Sequence, residues 1–136
     1  DEGEKMGCNG EYLDRADFPI LGICAGFHFM TNHFGGRTEA AGKPEFGKAT
    51  LIVDEEDEIF RGLPHEFVVW RSHNDEVTKV PETFQVLAHT KSCPVEAIKV
   101  KDRPFYGLQF HPEVENTEHG SEIFQNFLRV VEEWHR

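Results

Sequence analysis

The chain reverses at Gly22-Ile23-Cys24-Ala25-Gly26, and this stretch limits what the rest can fold into. Before it, Phe18 to Ile23 is an apolar run that reads as a buried strand. After it, Phe27 to Phe34 carries Phe27, Met30, Thr31 and Phe34 at helical spacing, a stripe that reads as core. A strand, a turn between glycines and a helix make a nucleophile elbow with cysteine at its apex. The reversal strains the backbone at Cys24. The flanking glycines leave space that a Cβ at Gly22 or Gly26 would fill. The thiol is then held at the carboxyl edge of a sheet and at a helix N-terminus, where the dipole and free N–H groups favour thiolate. Taken alone, the same residues also describe a buried cysteine in a Gly-rich turn.

The second informative stretch is Phe105-Tyr106-Gly107-Leu108-Gln109-Phe110-His111-Pro112-Glu113. A strand delivers His111 to its carboxyl end, and Pro112 stiffens the exit so that Glu113 leaves in a set direction. A cysteine nucleophile needs a base to take and return its proton, and the base needs a carboxylate to set its tautomer. Cys24, His111 and Glu113 supply nucleophile, base and orienting group. A strand-end histidine and a surface carboxylate are each commonplace, and it is their joint occurrence with the elbow that points to chemistry.

Between these stretches the chain alternates short elements. Gly35-Gly36 stops the elbow helix. Arg37 to Lys48 reads as a loop, Ala49 to Val53 as a short strand, and Glu58 to Phe60 as a brief helical turn after the acidic run Asp54 to Glu58. Glu66 to Trp70 reads as a strand. The polar cluster Arg71-Ser72-His73-Asn74-Asp75 then reads first as a capped turn and second as a ligand loop. Phe84 to Thr90, Val95 to Val100 and Phe105 to Phe110 read as neighbouring antiparallel strands. Glu118 to Arg136 reads as a closing amphipathic helix with Ile123, Phe124, Phe127, Val130, Val131 and Trp134 on its apolar face. Glu11 to Ala16 reads as a short helix leading into Phe18.

At 136 residues the chain reads as one domain with room for a core. A net charge of −11 argues against nucleic acid, which needs a basic face, and would allow a basic protein surface. Cys8, Cys24 and Cys93 are odd in number and lack CxxC or Cys/His ligand spacing, which disfavours a disulfide framework or structural zinc and fits a reducing cytosol. No metal ligand set is read, and no run is apolar enough to span a bilayer.

On these residues the sequence resembles the class I glutamine amidotransferases. The likeness rests on Pro19-Ile20-Leu21-Gly22-Ile23-Cys24-x-Gly26 and on Gly107-x-Gln109-Phe110-His111-Pro112-Glu113. Within that family it is most similar to the separate glutaminase subunit of archaeal-type GMP synthase. That likeness rests on Trp70-x-Ser72-His73-x-Asp75, Ser92-Cys93-Pro94-Val95-Glu96-Ala97 and Glu113-Val114-x-x-Thr117-x-x-Gly120. The resemblance implies an α/β, flavodoxin-like three-layer sandwich with a central mostly parallel sheet and helices on both faces. It implies hydrolysis of glutamine to glutamate and ammonia, and a cytoplasmic ATP-pyrophosphatase partner subunit that uses ATP and magnesium to aminate XMP to GMP. No cofactor is implied in the glutaminase chain itself. Ala25 N–H is implied as an oxyanion donor, and His28, Glu45, Ser72 and His73 as glutamine contacts. The family usually has glutamine where His28 stands. It also carries further N-terminal strands and a Gly-Gly-Pro loop that residues 1–17 do not contain, so the expected domain is N-terminally incomplete. Two other readings stay open: a partner-binding module without turnover, and another cysteine hydrolase of the same fold.

Overall fold

A computed structural model describes Leu13 and residues 18–135, with only the backbone described at residues 41–45 and 73–74. The readings for residues 1–10 and for Cys8 lie outside that range. Of the short helix read over Glu11 to Ala16, only Leu13 is described, and it is helical and buried.

The elements run in chain order as β1 (Ile20–Ile23), α1 (Ala25–His33), β2 (Arg37–Val53), a 3-10 turn (Glu58–Phe60), β3 (Glu66–Lys79), β4 (Phe84–Thr90), β5 (Cys93–Val100), β6 (Phe105–Leu108) and α2 (Gly120–Trp134). The strands form one sheet in the order β1-β6-β5-β4-β2-β3. Its two faces bury separate clusters. Phe27 and Met30 of α1 pack with Ile98, Val100 and Phe105, while Ile123 and Val130 of α2 pack with Leu51, Val69, Tyr106 and Leu108. Tyr106 and Leu108 thus face one helix, and Phe105 and Gly107 the other, as the two-residue period of a strand requires. The α/β layering with a helix on each face is therefore as expected.

Three expectations are corrected. Only β1 and β6 pair in parallel, and the remaining pairings are antiparallel, so over the described residues the sheet is mixed rather than mostly parallel. The reason is connection length. Thr90 pairs directly with Cys93 across a two-residue turn, and such hairpins cannot place strands in parallel, whereas β1 and β6 are far apart in the chain. Second, the loop read over Arg37 to Lys48 is the first part of β2. Third, the cluster Arg71 to Asp75 is neither turn nor loop but the middle of β3. These two polar stretches pair with each other, Phe46 opposite Ser72 and Glu45 opposite His73, with a register shift between Ala40 and Glu45. Each satisfies the other's backbone, which no local propensity announces.

Helix α2 buries Ile123 and Val130, as its apolar stripe predicts, but leaves Trp134 40% exposed. It also buries a polar residue inside that stripe. Asn126 donates from Nδ2 to the carbonyls of Ile59 and Arg61, both at 3.0 Å, and so pins the 3-10 turn against the helix. The side chain supplies donors that the turn's buried carbonyls need.

Candidate active site

Cys24 sits between β1 and α1 with φ 51° and ψ −105°, a positive φ outside the usual range for a non-glycine residue. Two backbone bonds hold this turn. Cys24 N–H donates to Leu108 O at 2.8 Å, and His28 N–H donates to Cys24 O at 2.9 Å. Gly22 is required as expected, because a Cβ there would meet Met30 Sδ at 2.8 Å and the Gly26 carbonyl carbon at 3.0 Å. Gly26 is a correction: a Cβ there would meet nothing within 4 Å, so packing does not demand glycine at that position.

The base arrives from β6. His111 Nε2 lies 3.2 Å from Cys24 Sγ, and His111 Nδ1 lies 2.8 Å from Glu113 Oε2. The carboxylate accepts the Nδ1 proton, which leaves the Nε2 lone pair for the thiol. The backbone after β6 is held by β3. His111 N–H donates to Trp70 O at 3.0 Å, Thr117 Oγ1 donates to His111 O at 2.6 Å, and Trp70 N–H donates to Thr117 Oγ1 at 2.9 Å. The hydroxyl of Thr117 therefore bridges the base's own carbonyl and the neighbouring strand.

The thiol has a second acceptor. Cys24 Sγ also lies 3.1 Å from Gln109 O, so its single proton is shared between that carbonyl and His111. The expectation of a favoured thiolate is corrected here. Burial, then the negative charge of Glu113 and of Glu96, pushes the thiol up to about 11 from an ordinary 9.0. Ionisation of this thiol is disfavoured, and His111 Nε2 at 3.2 Å is the group placed to take its proton.

Of the other expected site residues, Ala25 opens α1, where the first N–H groups have no acceptor within the helix. His28 lies one turn on, but its Nε2 is 2.6 Å from Gln109 Oε1, leaving Nδ1 to meet a ligand. Gln109 is fully buried, and its Nε2 finds no partner among the described residues. Ser72, His73 and Glu45 lie on the β2/β3 ribbon, Ser72 two residues beyond the carbonyl that holds His111. Residue-by-residue reading missed Thr117 and the carbonyl of Gln109 as supports of the site. Only the strand pairing reveals them, because the Thr117 hydroxyl bonds backbone groups of distant segments and Gln109 acts through its own carbonyl.

Substituting Glu113 with glutamine is expected to lower turnover roughly 10²- to 10⁴-fold, because an amide can present its NH₂ to Nδ1 and reverse the imidazole tautomer. Steady-state kinetics of turnover checks this, and an unchanged kcat would show that Glu113 does not orient the base.

The chain thus joins an elbow cysteine and a His-Pro-Glu segment on one layered sheet. Residues 2–131 match the family described as glutamine amidotransferase class-I, and the chain belongs to it. It is 45% identical over 130 residues to a glutamine-hydrolysing GMP synthase subunit of Thermoplasma acidophilum, covering 96% of this chain and 65% of that protein. It is 49% identical over 115 residues to the protein of the same name from Methanocaldococcus jannaschii, covering 85% of this chain and 61% of that one. A crystal structure of a GMP synthase subunit from Thermoplasma acidophilum superposes with a TM-score of 0.91 at 43% identity, over 97% of this chain and 66% of the other. A Thermotoga maritima glutamine amidotransferase at 19% identity and a TM-score of 0.73 shares the fold. The chain thus spans just under two thirds of the length of these GMP synthase relatives.

Proposed function

We propose that this chain carries the glutamine-hydrolysing site of a GMP synthase of the separate-subunit kind. The observation that carries the reading is the unbroken chain from Cys24 Sγ through the His111 ring to Glu113 at 3.2 and 2.8 Å. Cys24 attacks the side-chain carbonyl of glutamine while its proton passes to His111 Nε2. Ala25 N–H donates to the oxyanion of the tetrahedral intermediate at the N-terminus of α1. His111 returns the proton to the departing nitrogen, ammonia leaves, and a glutamyl thioester remains. Water that gives a proton to His111 then hydrolyses the thioester to glutamate and regenerates the thiol.

His28, Ser72, His73 and Glu45 hold the substrate's polar ends. Ammonia passes to an ATP-dependent partner subunit that aminates XMP, with ATP and magnesium used there, and the reaction belongs to the cytoplasm. The names of the glutamine-hydrolysing relatives support this assignment. The raised thiol supports a site that is quiet until substrate or partner completes it.

The test is labelling of Cys24 by a glutamine-analogue electrophile, read by mass spectrometry, with and without the ATP-pyrophosphatase subunit plus ATP and XMP. Selective labelling of Cys24 over Cys8 and Cys93, increased by the loaded partner, is the expected result. Equal or absent labelling in folded protein would replace this reading with that of a partner-binding module.

A further inference from the structure

Strands β3 and β5 share a buried ion pair that the reaction itself does not use. Arg71 of β3 is 7% exposed and Glu96 of β5 is 0% exposed, with Arg71 Nη1 3.9 Å from Glu96 Oε2. Arg71 Nη1 also donates to Ser92 Oγ at 2.5 Å, and Thr90 Oγ1 donates to Glu96 Oε2 at 2.9 Å. A buried ion pair contributes little net stability, because desolvation offsets the attraction. Its position is more informative. The backbone carbonyl of Glu96 accepts the N–H of Gln109 at 2.7 Å, and the carbonyl of Gln109 accepts the thiol of Cys24. On the other side, Arg71 falls between Trp70, whose carbonyl holds His111 N–H, and Ser72.

We propose that the Arg71–Glu96 pair is a positioning element of the Cys24 site, tying the strand that carries Ser72 and His73 to the backbone that holds the thiol and balancing the carboxylate nearest to it from β5. The inference rests on Cys24 being the reacting thiol. Among the described residues, the charged and titratable groups about that thiol are His111 and Glu113 from the segment after β6 and Glu96 from β5, with His28 of α1 reaching Gln109. Arg71 is the cation set against Glu96. Glu96 opposes ionisation of the thiol, and Arg71 acts on the thiol through Glu96. Glu96→Gln removes a negative charge that opposes ionisation and eases loss of the proton. Arg71→Met takes a positive charge from beside that carboxylate and hinders it.

The experiment measures alkylation of Cys24 by iodoacetamide in the full chain as a function of pH, followed at the Cys24 peptide so that Cys8 and Cys93 do not contribute. The expected midpoint moves down by about half a pH unit in Glu96→Gln and up in Arg71→Met. Ser92→Ala, at an exposed position, loosens the guanidinium and moves it up by less. A pair that only held the fold together would shift both core variants in the same direction, or neither, and either result overturns the proposal. If neither core variant folds, Ser92→Ala decides, and an unmoved midpoint overturns it. Alkylation needs no glutamine, so its outcome is separate from that of glutamine-analogue labelling.

Discussion

Replacing Cys24 with alanine is expected to reduce glutamine hydrolysis on the order of 10⁴-fold or more, in the presence of whatever partner supports the wild-type rate. Among the described residues Cys24 is the only thiol at the site. Cys93, the other described cysteine, is buried elsewhere and pushed up to about 12 by burial and by Glu96. The loss is expected in kcat, because the thiol contributes little to holding the ground-state amide. His111→Ala should cost about as much. The double variant Cys24→Ala with His111→Ala should be no worse than either single one, since nucleophile and base act as a unit. Ammonia release coupled to a reporter enzyme measures all three. A Cys24→Ala protein that retains more than a hundredth of the wild-type rate would remove the thiol from the mechanism.

The second large effect is structural and lies outside the motif. Gly120→Ala is expected to destabilise the protein by about 3 kcal/mol, at the upper end of overpacking costs, and to lower Tm by about 10 °C. Gly120 is the buried first residue of α2, and a Cβ there would run onto the backbone carbonyl of Pro112. That obstacle is main chain, so no rotamer change relieves it. The residue before α2, His119, is already at φ 58°, which leaves the turn little freedom to adjust. Pro112 joins His111 to Glu113, so any relief of the clash displaces the base or its carboxylate. The folded remainder should therefore also label poorly at Cys24.

Gly26→Ala is the control. Open space surrounds its Cβ position, and alanine favours the helix by up to about 1 kcal/mol, so Tm should hold or rise. Thermal unfolding of the three proteins decides the matter. Equal Tm values for Gly120→Ala and wild type would mean that α2 can shift away from the His-Pro-Glu segment without cost.

Much of the site was legible because its chemistry is written in short, contiguous stretches. The elbow needs a particular local backbone. Gly22, whose Cβ would strike Met30, and Cys24, with its positive φ, carry that requirement in their identities. His111 and Glu113 are two residues apart, and a proline between them is enough to aim both. The helical stripes of α1 and α2 and the short runs of β4 to β6 between polar turns were readable for the same reason: each is a local pattern set by exposure to a core.

Tertiary structure decided what depends on partners distant in the chain. Residues 37–48 and 71–75 are polar and charged, and the first stretch also contains glycine and proline, so nothing local marks them as strands. They become strands because each completes the other's hydrogen bonds. The direction of the sheet followed from which connections were short. The state of the thiol was likewise out of reach of the motif. An elbow at a helix N-terminus predicts an acidified cysteine, but burial, with Glu113 and Glu96 nearby, reverses that shift. Electrostatics sums over every charge brought close, and Glu96 comes close to Cys24 only when β5, β6 and β1 lie side by side. The sequence by itself determined which atoms could react. The fold determined what their proton affinities would be, because those depend on neighbours contributed by other strands.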